Sequence, residues 1–424
     1  MNYLEMSKEE LLSQFEQVKA DYEKYKNMNL NLDMSRGKPG STQLDLSEGL
    51  LTTIVKREDC KAVCGLDCGN YGVLDGIPEM KEIFAKVLGV SVDEIMVGGN
   101  SSLNMMFDTV ATMMTKSING GTPWAMQDKR KWLCPVPGYD RHFGITEYFG
   151  FEMITVPMTP QGPDMDVVEK LVSEDASIKG IWCVPKYSNP QGITYSDETV
   201  TRFAKLKPAA DDFKIMWDNA YVIHDIVEKG DTLLNLMDEC KKYGNEDLPI
   251  MFTSTSKITF PGAGVACMAT SLNNMKFFKE KYAVQTIGYD KLNMLRHIKF
   301  FGNYEGLMAH MQKHRAVLEP RFDAVINKLE SQLGGFNIAQ WIKPNGGYFI
   351  SVDVLEGCAK RVVELCKEAG VVLTGAGATF PYGNDPQDSN IRLAPTLPPV
   401  EELEIAMDLF CICTKLAALE KLTK

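Results

Sequence analysis

The residues best suited to chemistry lie where short apolar runs end. Ser254-Thr255-Ser256-Lys257-Ile258-Thr259 follows the run Ile250 to Thr253. A lysine at a strand end among small neighbours suits a Schiff base, with room for a ring and hydroxyls for a phosphate; a surface lysine in a Ser/Thr loop has the same local sequence. Met216-Trp217-Asp218-Asn219-Ala220-Tyr221 ends a second run. Asp218 could pair with a protonated ring nitrogen or cap a helix, and Tyr221 could bond a ring oxygen. In Pro185 to Gly192, Asn189 precedes Pro190, which aims its amide at a ring oxygen or simply makes a turn. Gly98-Gly99-Asn100-Ser101-Ser102 sits between a strand and a helical pattern, where backbone N–H groups and hydroxyls form an anion site or a plain cap. Tyr139, after Pro135-Val136-Pro137-Gly138, offers a ring for stacking. Arg392, in Ile391-Arg392-Leu393, is an arginine in an apolar setting, which a bidentate carboxylate contact would justify.

Positioning these groups requires repeated strand–loop–helix units. Glu94 to Val97, Trp132 to Cys134, Met153 to Val156, Gly180 to Val184, Phe213 to Trp217 and Ile250 to Thr253 read as buried strands, with helical patterns between several of them. That alternation predicts an α/β sheet with ligands at the carboxyl ends of its strands. The start is helical, with Ser7 and Glu10 as a capping box and Leu11, Phe15, Val18, Tyr22 and Tyr25 at helical spacing. Beyond about Gly306 the texture changes. A long helix is expected over Tyr304 to Leu333, then short strands at Ile338 to Lys343, Tyr348 to Val352, Val371 to Thr374 and Asn390 to Leu393. A last helix has Pro399 as its first residue. This divides the chain into a large domain over 45–310 and a smaller α+β domain built from 1–44 and 311–424.

Composition narrows the function. A net charge of −11 argues against binding a phosphate backbone, so no nucleic-acid partner is expected. The apolar content of 45% excludes a disordered chain. Met1 to Gln14 is polar with three glutamates, unlike a secretion leader, and no stretch reads as a membrane span. Eleven scattered cysteines fit free thiols in a reducing cytoplasm. Three further patterns read as structural. His310 and His314, four apart, lack a third metal ligand and read as a solvated or capping pair. Cys60, Cys64 and Cys68 miss the common cluster spacings and read as buried thiols at helical spacing. Gly262-Ala263-Gly264 and Gly375-Ala376-Gly377 do not complete a dinucleotide loop.

Taken in order, the segments resemble the fold-type I pyridoxal-phosphate aminotransferases, the class I/II or aspartate-aminotransferase superfamily, over nearly the whole chain. Closest is a bacterial subgroup of aspartate aminotransferases with runs like those at Ser254 to Phe260, Asn70 to Glu79 and Asn390 to Pro395. The resemblance implies a large α/β domain with a mostly parallel central sheet and a smaller α+β domain. It implies that Lys257 holds pyridoxal 5'-phosphate and moves the proton. Asp218 would pair with the pyridinium, Tyr221 and Asn189 would bond the phenolic oxygen, and Tyr139 would stack. Asn100, Ser101, Ser102 and Ser254 would bind the phosphate, joined by the partner subunit's Tyr71 in a homodimer with shared sites. Arg392 would clamp the substrate α-carboxylate beside Gly37 and Asn189. The implied reaction moves an amino group from an L-amino acid, best L-aspartate, to a 2-oxo acid, best 2-oxoglutarate, by a ping-pong cycle. A broad or aromatic aminotransferase and a carbon–sulfur β-lyase on the same fold are the alternatives.

Two departures stand out. The family usually has an arginine seven to nine residues after the lysine, paired with the phosphate; here that stretch holds no basic residue. Lys291 and Arg296 are candidates to replace it. The side-chain carboxylate of aspartate also needs a cation, for which Lys291, Arg36, Lys38 and Arg141 are the options.

Overall fold

The apolar runs form one mixed sheet. The computed structural model describes residues 2–424. After a two-residue strand β1 (Leu32–Asp33) come β2 (Ile95–Val97), β3 (Lys131–Val136), β4 (Glu152–Thr159), β5 (Gly162–Pro163), β6 (Ile178–Cys183), β7 (Lys214–Asp218), β8 (Pro249–Ser254) and β9 (Ala266–Thr270). Strands β2 to β9 form an eight-stranded sheet in the order β2-β9-β8-β7-β6-β3-β4-β5. The central run β8-β7-β6-β3-β4 is parallel, and β9 is antiparallel to both its neighbours. β9 is an element the sequence pattern did not predict, because Ala266, Ala269 and Thr270 weaken its apolar signal.

Successive side chains of the central strands enter two different cores. Ile215 and Trp217 join Leu133 and Met251 on one face, while Met216 joins Trp132, Ile250 and Phe252 on the other. Burial of each such side chain contributes roughly 1.5–3 kcal/mol. Both faces are therefore covered, which is why these strands read as continuous apolar runs rather than alternating ones.

The chain termini build a third apolar core. The first helix, Lys8–Lys26, has the predicted capping box: Ser7 N donates to Glu10 Oε2 at 2.8 Å and Ser7 Oγ accepts from Glu10 N. Its buried face of Leu11, Val18 and Tyr22 shares this core with the last helix, Val400–Leu422. Pro399 is the N-cap of that helix rather than its first residue. The strands β10 (Ala339–Trp341), β11 (Ile350–Val354) and β13 (Asn390–Leu393) make a three-stranded antiparallel sheet, and β12 (Val371–Val372) pairs in parallel with β1.

Two further expectations are corrected. Cys60, Cys64 and Cys68 do not share a helix. Cys60 ends a short 3-10 turn, Gly65 at φ 85° reverses the chain, and Lys61 bridges to Asp67; Cys64 is exposed while the other two are buried. His310 and His314 are not solvated; both are buried on the inner face of the helix Tyr304–Leu333. Among the described residues no helix is long and apolar enough to cross a membrane, and no cluster of side chains could hold a metal ion.

Candidate active site

Four neighbouring parallel strands deliver side chains to one cavity of about 250 Å³ beyond their carboxyl ends. Asp218 is the last residue of β7, and Ser254 is the last of β8, with Lys257 in the turn that follows. Asn189 lies after β6 and Tyr139 after β3. From β2 the chain passes through Gly98 to Asn100 into Ser101, the N-cap of the helix Ser102–Thr115. Ser101, Ser102, Tyr139, Asn189, Asp218, Tyr221, Ser254 and Lys257 line this single cavity, so most of the residues singled out in the sequence converge. Asn100 stands at its edge, its carbonyl accepting from Ser256 Oγ at 3.4 Å.

The walls are polar groups held in a buried setting. Asp218 Oδ2 meets His142 Nε2 at 2.9 Å, and His142 stacks on Trp182 with ring centroids 4.5 Å apart. Asp218 Oδ1 is buried without a partner, so the carboxylate keeps an unused acceptor. Lys257 Nζ sits 5.2 Å from the centroid of the Tyr221 ring. Burial pulls the Lys257 ammonium below its ordinary range, Asp218 opposes this and Arg392 adds to it. The Tyr221 phenol is pushed well above its ordinary value by burial, and that of Tyr139 to about 12 for the same reason. At the far end, Ser254 Oγ and Ser256 Oγ lie 3.0 Å apart, near the start of the helix Ser102–Thr115. A Cβ on Gly264 would sit 2.6 Å from Asn100 O, so glycine lets the chain after Lys257 run against this loop.

A second cavity of about 490 Å³ opens from the first and shares Tyr139, Asn189, Tyr221 and Lys257 with it. Its remaining walls include Arg36, Gly37, Lys38, Asp140, Arg141 and Arg392. Arg392 Nη1 donates to Asp140 Oδ1 at 2.8 Å and Asn189 Oδ1 at 3.2 Å, and its guanidinium lies 4.8 Å from the Phe349 centroid. Arg392 Nε is buried without a partner. A Cβ at Gly37 would come within 2.5 Å of Phe349 Cζ, so the backbone reaches this ring only as glycine.

Tyr71 and Lys291 are placed elsewhere. The Tyr71 ring is exposed, and both residues line a separate cavity of about 410 Å³, where Lys291 Nζ donates to Gly72 O at 2.8 Å. The position eight after Lys257 is Val265, buried, with its N–H on Thr255 Oγ1 at 2.9 Å. Neither Lys291 nor Arg296 lines the 250 Å³ cavity, and Lys257 is its single cation among the described residues. The sequence pattern does not single out His142, Asp140 or Phe349. His142 follows Tyr139 by almost one helical turn, a usable signal; Asp140 meets Arg392 across 252 positions and carries none.

A half-buried lysine among strand-end polar groups opens onto an arginine-lined cavity, an arrangement suited to a ligand that carries a carboxylate. The chain belongs to the aspartate aminotransferase family, whose model, described as aspartate amino-transferase, matches residues 6–424. It is 47% identical over 406 residues to an aspartate aminotransferase of Corynebacterium glutamicum, covering 96% of this chain and 94% of that relative. The solved structure of an aspartate transaminase from Corynebacterium glutamicum matches at TM-score 0.97 and 45% identity, covering 100% of this chain and 99% of that one. An α-aminoadipate aminotransferase from Thermus thermophilus, complexed with N-(5'-phosphopyridoxyl)-L-leucine, shares the fold at TM-score 0.73 and 17% identity over 92% of this chain and 93% of that one. The protein is an aminotransferase with the α/β fold-type I architecture expected from its sequence.

Proposed function

We propose that the protein is a cytoplasmic, homodimeric, pyridoxal 5'-phosphate-dependent aminotransferase that takes the amino group of L-aspartate and passes it to 2-oxoglutarate. The observation that carries the substrate class is the charge of the 490 Å³ cavity. Arg36, Lys38, Arg141, Arg392 and Lys257 line it against one acidic residue, Asp140, which is itself paired with Arg392. Such a site favours a substrate with two carboxylates over one with a neutral side chain.

The cofactor fits the smaller cavity. The free acceptor of buried Asp218 suits a protonated ring nitrogen, and the hydroxyls of Ser101, Ser102, Ser254 and Ser256 at a helix start suit a phosphate. Val265 removes the family's usual cation, so the helix start and hydroxyls carry more of the phosphate charge. Asn189 and Tyr221 would bond the ring oxygen and Tyr139 would cover the ring face. When bound, the group supplies an electron sink for the substrate Cα. Lys257 would anchor it and, once free, would be the base placed to take the Cα proton; burial lowers the proton affinity of its amine, the direction that such a base requires. Arg392 holds the α-carboxylate beside Gly37, and Arg36, Lys38 and Arg141 face the second carboxylate. The exposed Tyr71, with Lys291 beside it, would complete the partner's site. Residues 45–310 would form the cofactor-binding domain, and 1–44 with 311–424 the second, whose core is drawn mostly from the termini but also takes in Val184, Tyr187, Tyr221 and Ile226 of the first.

The test is the visible spectrum of the purified protein with pyridoxal 5'-phosphate. L-aspartate alone should bleach the band and 2-oxoglutarate should restore it. A band indifferent to aspartate but bleached by phenylalanine or tyrosine would reassign the substrate. Pyruvate and ammonia released from cysteine conjugates without a 2-oxo acid would make the protein a lyase.

A further inference from the structure

Two consecutive carbonyls of the lysine segment are held by four side chains that line neither cavity described above, one of them Ser47, whose Oγ donates to Ile258 O at 3.4 Å. Tyr348 Oη donates to Lys257 O at 3.1 Å. His310 Nε2 and His314 Nε2 both reach Ile258 O at 2.9 Å. Behind these donors lies Gln43, fully buried. Its Nε2 is 2.9 Å from Tyr348 Oη and 3.2 Å from His314 Nδ1, so each amide hydrogen has one acceptor. The amide is oriented by its other end, since Gln43 Oε1 accepts from Gly40 N at 3.3 Å. Donation from Gln43 makes His314 Nδ1 an acceptor and places the ring hydrogen on Nε2, facing Ile258 O. The two Nε2 atoms stand 3.1 Å apart because both are directed at one oxygen.

Gln43 belongs to the strap that forms the rim of the 490 Å³ cavity. Arg36, Gly37 and Lys38 of this strap face the cavity. Thr396 Oγ1 donates to Lys38 O at 2.8 Å, and Arg321 reaches Thr42 Oγ1 at 2.9 Å and the Thr396 carbonyl. The strap is thus tied to the terminal core on one side and, through Gln43, to two of the side chains that hold the backbone of Lys257 and Ile258 on the other.

We propose that Gln43 is a positioning residue: by bridging Tyr348 and His314 it fixes the backbone of Lys257 relative to the substrate-facing strap Arg36–Lys38. This rests on the reading of Lys257 as the lysine that carries the cofactor. Both imidazoles suit the role because burial keeps them uncharged, His314 with a pKa of about 4 and His310 shifted down; a proton on His314 Nδ1 would oppose the Gln43 amide.

The experiment compares full-length Gln43→Leu, Tyr348→Phe and the double variant with the parent protein. Gln43→Leu keeps the packing volume and removes both donations; Tyr348→Phe removes one hydroxyl and keeps the ring, so it answers the question even if Gln43→Leu folds poorly. Covalent capture of pyridoxal 5'-phosphate by the stripped protein, followed by the visible band and fixed with borohydride, should slow about tenfold in either single variant. The kcat should fall by about the same factor, with the donor KM within about threefold of the parent. The double variant should lose no more than the worse single one, because both act along one path. Single variants within about twofold of the parent, or losses that multiply in the double variant, would overturn the proposal. A parent protein that captures no cofactor on Lys257 would overturn the lysine reading and this proposal with it, and is recognised before any variant is compared.

Discussion

The two cavities that meet at Lys257 are built differently. The smaller one is walled by the ends of four neighbouring strands of one sheet, in a buried setting. The larger one is walled by segments from distant parts of the chain: the strap at Arg36 to Lys38, the start of the helix Asp140–Tyr148, Phe349, and Arg392 on β13. Strand ends are fixed by the ladder and by cores on both sheet faces, so they suit chemistry that must not vary. Segments that meet only through side-chain contacts suit selection, where charge and shape differ between substrates.

That contrast can be broken most directly at its common residue. Lys257→Ala should lower turnover by at least about a thousandfold, measured as steady-state transamination, while pyridoxal 5'-phosphate still binds without covalent capture. Next in size is Arg392→Ala, which should cut kcat/KM for any α-amino acid about a hundredfold, mostly through KM, because a charge-assisted carboxylate contact is lost and Asp140 is left unpaired. Arg141→Ala sharpens the comparison further. It should cost about tenfold in kcat/KM for aspartate and 2-oxoglutarate but leave alanine nearly unchanged, since only the second carboxylate would notice. If alanine suffers equally, the larger cavity is not divided as argued.

Acid stability separates the fixed region from the rim by a different route. His297 and His314 lie beneath the lysine segment, and burial holds both at a pKa of about 4, below the ordinary imidazole value. The unfolded chain therefore binds more protons than the folded one between pH 6.5 and 4. Stability should fall as pH drops through that window, by up to about 1.4 kcal/mol per pH unit for each group, and level off below it. Urea midpoints at pH 7, 5.5 and 4.5 measure this, and His297→Gln should flatten the decline. A pH-independent midpoint would mean that these rings are hydrated.

The sequence made the fixed region legible because an apolar run that stops at a polar residue marks a strand end. Asp218, Asn189, Tyr139 and Lys257 are all of that kind. The rim was harder: Asp140 and Arg392 are 252 residues apart, and their contact follows from tertiary packing alone. The burial of His310 and His314 has a signal in the sequence. They fall in register with Leu307, Met311 and Leu318, the buried stripe of their helix, and the stripe should have outweighed the polarity of imidazole. Gln43 had no comparable signal, since a short helix after a glycine reads as surface until His314 and Tyr348 are brought onto it.

The burial of the histidines reaches beyond the site. All five in the chain, His142, His224, His297, His310 and His314, are buried. No imidazole therefore faces solvent, and the outer surface carries no side chain that ordinarily titrates between pH 6 and 7. The protein should keep nearly the same electrophoretic mobility across that interval, and native chain without an added tag should pass through a nickel column unretained.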